Sequence, residues 1–207
     1  MTETRPPVHR GQRLVLVRHG ETAWSRTGRH TGRSDVPLDA EGVEQAGRLR
    51  ARMREWEFAE VICSPLERAR RTCELAGFGE RACYDPETEE WDYGTYEGLT
   101  ADQIRAGRPG WTIWKDGVID GESAADLGRR ADSVIARLRL VPGDVALFSH
   151  GHFLRILSAR WCDLPALAGE RLALQPGSLS VLGDDRGDPV IWLWNDTGHL
   201  TGLDQAR

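Results

Sequence analysis

Two short apolar runs that each stop at a histidine and a glycine dominate the pattern of this chain. Leu14-Val15-Leu16-Val17 is uninterrupted, and the polarity changes at Arg18-His19-Gly20; Val145-Ala146-Leu147-Phe148 stops in the same way at Ser149-His150-Gly151-His152. Such runs predict strands buried on both faces of a sheet. Val61-Ile62-Cys63 predicts a third and Ala82-Cys83-Tyr84 a short fourth. Between them the period changes. Val43, Ala46, Leu49, Met53 and Trp56 recur at spacings of three and four behind Asp39, an N-cap residue, and Leu127, Ala131, Val134, Ile135 and Leu138 do so within Ala124 to Leu140. These are helices with one apolar face. Two more helices, Leu66 to Ala76 and His152 to Cys162, follow strands directly, the first with Pro65 suited to its opening turn. Alternating strands and helices predict an α/β fold, a three-layer αβα sandwich on a mostly parallel central sheet.

The remaining segments complete the outline. Residues 23 to 38, with Gly28, Gly32 and Pro37, read as a loop over the sheet's edge. Arg171 to Leu174, Ser178 to Leu182 and Val190 to Asn195 read as edge strands. Residues 1–12 are polar with two prolines and read as a flexible N-terminal tail, leaving a single domain at 13–207.

Strands of this kind deliver Arg18, His19 and His150 to the carboxyl edge of the sheet, where open α/β folds place their ligand crevices. An arginine can hold an anion bidentately, and a neutral imidazole beside it can attack phosphorus. One Arg-His pair is equally well explained as a solvated turn; a second strand ending in His-Gly shifts the balance toward a site. Gly20 permits close backbone approach or a positive φ. The helix starting at His152 offers free N–H groups to a phosphate. In the acidic turn from Glu87 to Gly94, Glu90 stands out because Trp91, Tyr93 and Tyr96 are placed to desolvate it, which favours a protonated carboxyl. Glu87, Glu89 and Asp92 read as solvated.

Composition narrows the function. A chain of 207 residues with 40% hydrophobic content supplies one sizeable core. Its formal net charge of −5 argues against nucleic acid and acidic membranes as partners, so any anion site must be locally basic. Cys63, Cys73, Cys83 and Cys162 have no zinc-site spacing and are expected as buried reduced thiols. No leader-like apolar segment or membrane-length run is present, which predicts a soluble cytoplasmic protein. Neither a dinucleotide fingerprint nor a Walker loop occurs, and no cysteine opens a phosphate cradle, so no cofactor is expected. Pairing of C-terminal edge strands leaves a homo-oligomer possible.

Leu14-Val15-Leu16-Val17-Arg18-His19-Gly20-Glu21-Thr22 resembles the signature of the histidine phosphatase superfamily, in its phosphoglycerate-mutase-like branch. The resemblance continues, in order, through Trp24-Ser25, Thr31-Gly32, Asp35 to Leu38, Ser64 to Ala69, Glu90 to Gly98 and Ser149 to His152. Glu90 to Gly98, Arg108 to Gly117 and Gly121-Glu122-Ser123 are similar to the fungal sedoheptulose bisphosphatases, in which the latter stretches form part of a lid. The resemblance implies a phosphoglycerate-mutase-like fold and a phosphohistidine on His19. It makes Arg18, Arg68 and His150 the phosphate clamps and Glu90 the proton donor, and it places Ser25, Thr31, Gly32 and His152 against the substrate. It requires no metal. The implied substrates are small phosphorylated metabolites, foremost sugar phosphates or bisphosphates. Arg26, Arg29 and His30, with Thr31 and Arg33, form a possible second anion patch. The mutases resemble one another in a longer basic lid and in asparagine where this chain has Ser25 and His152. Hydrolysis is therefore expected ahead of mutase activity, and ahead of a phosphoprotein phosphatase or a non-catalytic binding module.

Overall fold

The computed structural model describes residues 11–202. Its elements, in order, are β1 (Leu14–Arg18), α1 (Ala23–Arg26), α2 (Ala40–Met53), β2 (Phe58–Cys63), α3 (Glu67–Leu75), β3 (Ala82–Tyr84), α4 (Ala101–Gly107), α5 (Ile113–Asp116), α6 (Ala124–Leu138), β4 (Asp144–Ser149), α7 (Gly151–Trp161), β5 (Leu179–Asp185) and β6 (Asp188–Asp196). The six strands form one sheet in the order β3-β2-β4-β1-β5-β6. The first four neighbours are parallel; β5 runs antiparallel to β1, and β6 antiparallel to β5.

Side-chain alternation along β1 builds the three layers. Val15 and Val17 pack with Leu49, Met53 and Cys73, on the side of α2 and α3. Leu14 and Leu16 point to the other side, into a larger cluster with Leu127, Ile135, Phe153 and Leu157 of α6 and α7. Successive strand residues face opposite sides of a sheet, so an uninterrupted apolar run is what two covering helix layers require.

β4 inserts between β1 and β2, and the register pairs Arg18 with Ser149. The residues that follow, His19 and His150, therefore leave the sheet side by side. Their ring centroids are 5.2 Å apart.

Several sequence expectations change. The segment 23–38 is not all loop: Thr22 and Ser25 form a capping box that winds α1. Arg171 to Leu174 is no strand, because its carbonyls are occupied by side chains; Ala173 O accepts from Trp194 Nε1 and Leu174 O from Arg18 Nη1. β5 is interior, and the edges are β3 and β6. Val43 is 40% exposed, since α2 turns Gly42 and Gln45 inward instead. Cys63 and Cys73 are buried, but Cys83 is exposed. The expected tail falls outside the described residues except at Gly11 and Gln12. Gln12 belongs to the fold, with its buried Nε2 donating to Leu138 O (2.9 Å) and Val141 O (2.8 Å). Among the described residues no helix is long and apolar enough to cross a membrane.

Candidate active site

A cavity of about 180 Å³ opens at the carboxyl ends of β1 and β4, with Arg18, His19, Glu90, Gly151, His152 and Arg155 on its wall. The backbone places His19 firmly: its N–H donates to Ser149 O at 3.0 Å and its carbonyl accepts from Gly177 N at 3.0 Å. Gly20 lies against α2 so closely that a Cβ would sit 2.4 Å from Gly42 O, which shows that close approach, not a positive φ, is what this glycine supplies. Gly20 N donates to Thr72 Oγ1 and Gly20 O accepts from His19 Nδ1 at 2.8 Å. With its proton on Nδ1, the ring presents an unprotonated Nε2, which has no protein partner among the described residues. Burial, then the charges of Arg68 and Arg18, hold this imidazole well below its ordinary pKa. His19 is a neutral, oriented base.

Arg18 leaves the same strand end and is steadied by Leu174 O, while its buried Nε has no partner. Gly151 makes room for it, since a Cβ there would press on Arg18 Cζ at 3.3 Å. An unpartnered guanidinium N–H beside a free imidazole nitrogen is a setting for an oxyanion.

Arg68 and His150, expected as clamps, stand one layer behind the wall. Arg68 is fully buried; Nη1 donates to Ser34 O at 2.9 Å, Nη2 to Thr31 O at 3.0 Å and Gly32 O at 2.9 Å, and Nε to His150 Nδ1 at 3.2 Å. Because Arg68 only donates, His150 Nδ1 must accept, so its proton is on Nε2 and goes to Ser64 Oγ at 2.7 Å. Burial and the Arg68 charge keep the ring well below its usual pKa. His150 is therefore neutral and tied at both nitrogens, a correction to the protonated clamp expected from sequence.

Glu90 is buried at the cavity, but its setting is not purely aromatic. Oε1 accepts from Trp91 N at 3.0 Å and Phe153 N at 2.8 Å, and Oε2 from His152 N at 3.0 Å. The carboxylate caps α7, whose N-terminal N–H groups were expected to serve the phosphate directly. A negative group at a helix N-terminus is favourably placed, and Glu90 is thereby fixed beside the ring of His19 on the shared wall.

The expected substrate contacts divide. Ser25 reaches the wall, but its hydroxyl donates to Glu21 Oε1 at 2.6 Å and accepts from Thr22 N at 2.9 Å, so it mainly shapes α1. Thr31 lines the cavity. Gly32 does not; its N–H donates to both Glu97 oxygens, at 2.9 and 3.0 Å. His152 lines the cavity with Nδ1 2.7 Å from Tyr93 OH, amid Trp91, Trp114 and His30. Burial keeps the Tyr93 phenol well above and the His152 imidazole well below their ordinary values, so the pair is neutral. In the expected second patch, Arg26 pairs with Asp39 and Glu41 and Arg33 with Asp92, whereas Arg29 and His30 reach the wall. Tyr93 and Arg155 were missed as wall residues. The available signal for Arg155 was its spacing, three residues after His152 on one helix. Among the described residues, no group of three His, Cys, Asp or Glu side chains is placed to hold a metal ion.

The family model for the histidine phosphatase superfamily, branch 1, matches residues 14–197. The chain belongs to that superfamily. It is 42% identical over 195 residues to an acid phosphatase of Mycobacterium tuberculosis, covering 92% of this chain and 95% of that one. It is 32% identical to the sedoheptulose 1,7-bisphosphatase of Saccharomyces cerevisiae (73% and 68% covered) and 36% identical to a probable phosphoglycerate mutase of Escherichia fergusonii (92% and 94%). A solved structure of a Mycobacterium tuberculosis open reading frame superposes with a TM-score of 0.86 at 42% identity, covering 91% of this chain and all of that one. This histidine phosphatase superfamily member is a phosphatase whose α/β sheet and paired histidines are those anticipated from its motifs.

The buried imidazoles make acid stability a direct test of the site. His19, His150 and His152 are held well below, and His30 below, the ordinary value of 6.5. The unfolded chain binds protons at these rings first, so stability is lost as pH falls below about 6.5, by up to about 1.4 kcal/mol per unit for each ring. Glu87 and Asp126, held below ordinary carboxylate values, lose their contribution only at lower pH. Calorimetry should show Tm falling between pH 7 and 5, and a smaller fall in His152→Asn. A flat profile would contradict neutral burial.

Proposed function

We propose that the enzyme hydrolyses phosphate monoesters of small metabolites, foremost sugar phosphates or bisphosphates, through a phosphohistidine on Nε2 of His19. The observation that carries this reading is a buried neutral imidazole whose Nδ1 proton is fixed on Gly20 O, with its free nitrogen in a cavity shared by Arg18 and Glu90. Nε2 of His19 attacks phosphorus as the bond to the ester oxygen breaks, and Glu90 gives a proton to the departing alkoxide. Water then attacks the phosphohistidine and yields its proton to Glu90, which restores the acid and releases phosphate. Negative charge on the transferring oxygens is met by Arg18, whose unpartnered Nε is already oriented. Arg68 and His150 act from behind by fixing the 31–34 segment and each other.

The likeness to a probable phosphoglycerate mutase supports a second reading, in which the phosphoryl group is handed back to a glycerate. The basic residues of the short insertion favour hydrolysis. Arg105 Nε donates to Trp111 O at 3.0 Å and Arg108 Nη1 to Tyr96 OH at 2.8 Å, so both serve the fold and neither lines the cavity. Incubation with 3-phosphoglycerate and with sugar phosphates, followed by phosphate assay and product separation, decides between them. Free phosphate without interconversion of phosphoglycerates is expected; interconversion faster than phosphate release would establish the mutase.

A further inference from the structure

We infer that Arg155 is the specificity-determining residue for a second anionic group on the substrate, one helical turn along α7 from the phosphate being transferred. This rests on the phosphohistidine reading and adds the chemistry of the substrate's other end. Arg155 lines the cavity opposite the strand end that carries His19. Its fork is already positioned: Nε donates to Gly169 O at 3.0 Å, Nη2 to Glu170 O at 3.0 Å, and the guanidinium lies over the Trp114 ring at 4.5 Å. Nη1 has no hydrogen-bond partner among the described residues, and no carboxylate forms an ion pair with this arginine there. Its charge is half-buried, uncompensated and on the wall of a ligand cavity.

Charge and distance both point to an anion. Arg18, Arg29 and Arg155 share the wall with one carboxylate, Glu90, and Glu90 already accepts three backbone N–H groups. Arg29 likewise forms no ion pair among the described residues, and its Nη1 donates only to Gly98 O at 3.2 Å. A phosphate monoester of about two negative charges seated at Arg18 and His19 leaves Arg155 unanswered. Four residues separate Gly151 from Arg155, a rise of about 6 Å along the helix. That spacing suits an ester carrying a carboxylate or a second phosphate on a short carbon skeleton. A preorganised planar fork is the residue type that reads either group bidentately.

The test compares kcat/KM for three esters: 2-hydroxyethyl phosphate, which has no second anion, 3-phosphoglycerate, which has a carboxylate, and fructose 1,6-bisphosphate, which has a second phosphate. In Arg155→Met the ratio of kcat/KM for a two-anion ester over 2-hydroxyethyl phosphate should fall by about 10- to 100-fold, the loss appearing in KM, and Arg155→Lys should recover part of it. The arm that falls identifies carboxylate or phosphate as the group read. An unchanged ratio for both two-anion esters overturns the inference, and so does a parallel loss on all three. Equilibrium binding of the same compounds to the His19→Ala protein and its Arg155→Met double variant gives the same comparison without turnover. If the parent hydrolyses none of the esters, the phosphatase reading fails; if it hydrolyses all three with no preference for a second anion, only the role of Arg155 fails.

Discussion

His19→Ala should lower kcat by about 10⁴- to 10⁶-fold, the range seen when a nucleophile is removed from an otherwise intact site. The reason lies in the uniqueness of this ring on the wall. His150 is tied by Arg68 and Ser64 at both nitrogens, and His152 has Nδ1 engaged by Tyr93 OH. Only His19 combines a fixed Nδ1 proton, a free Nε2 and contact with Arg18. The check is rapid quench with radiolabelled ester. An acid-labile, base-stable phosphoprotein should form on the parent and vanish in the variant, while phosphate still protects both from thermal unfolding. A variant that turns over at the parent rate, or label that persists on His152, would remove His19 from its assigned role. Because the ring is held neutral by burial and two arginines, the acid limb of kcat/KM should lie below pH 6.5.

Glu90→Gln should cost about 10²- to 10⁴-fold in kcat on alkyl phosphates, the usual contribution of a positioned general acid and base. On p-nitrophenyl phosphate the first half-reaction should suffer far less, because that leaving group departs without a proton. This leaving-group dependence separates proton donation from mere positioning. A second effect accompanies it. If the amide oxygen takes the place of Oε1, facing Trp91 N and Phe153 N, the NH₂ group meets His152 N–H, which was 3.0 Å from Oε2. Two donors then oppose each other in a buried place, costing about 1 to 3 kcal/mol of stability. Equal losses on both esters would show that Glu90 only holds α7, and denaturant unfolding would confirm it.

The local grammar of the chain was legible where one property decides structure. Uninterrupted apolar runs at Leu14 to Val17 and Val145 to Phe148 had to be strands covered on both faces, and a strand that ends in Arg-His-Gly had to deliver those groups to a sheet edge. Asp39 as a cap and the 3.6-residue pattern of α6 followed from backbone hydrogen bonding and one-sided burial. Where several local signals competed, the reading slipped. Glycines masked the Thr22–Ser25 capping box, and alternating residues at Arg171 to Leu174 resembled a strand although their carbonyls serve Arg18 and Trp194.

By itself, then, the sequence determined the fold class, the identity of the nucleophile and the company of arginines and a glutamate, because residue types and strand ends are properties of short stretches. Tertiary structure alone decided protonation, tautomer and orientation. It made His150 a neutral ring behind the wall, turned Arg68 into a brace for four groups, set Glu90 on the N-terminus of α7 and brought Arg155 to the cavity. Those outcomes depend on burial and on hydrogen-bond partners far apart along the chain, such as Arg68 with His150 and Glu90 with Phe153, and no local pattern encodes which distant donor will meet which acceptor.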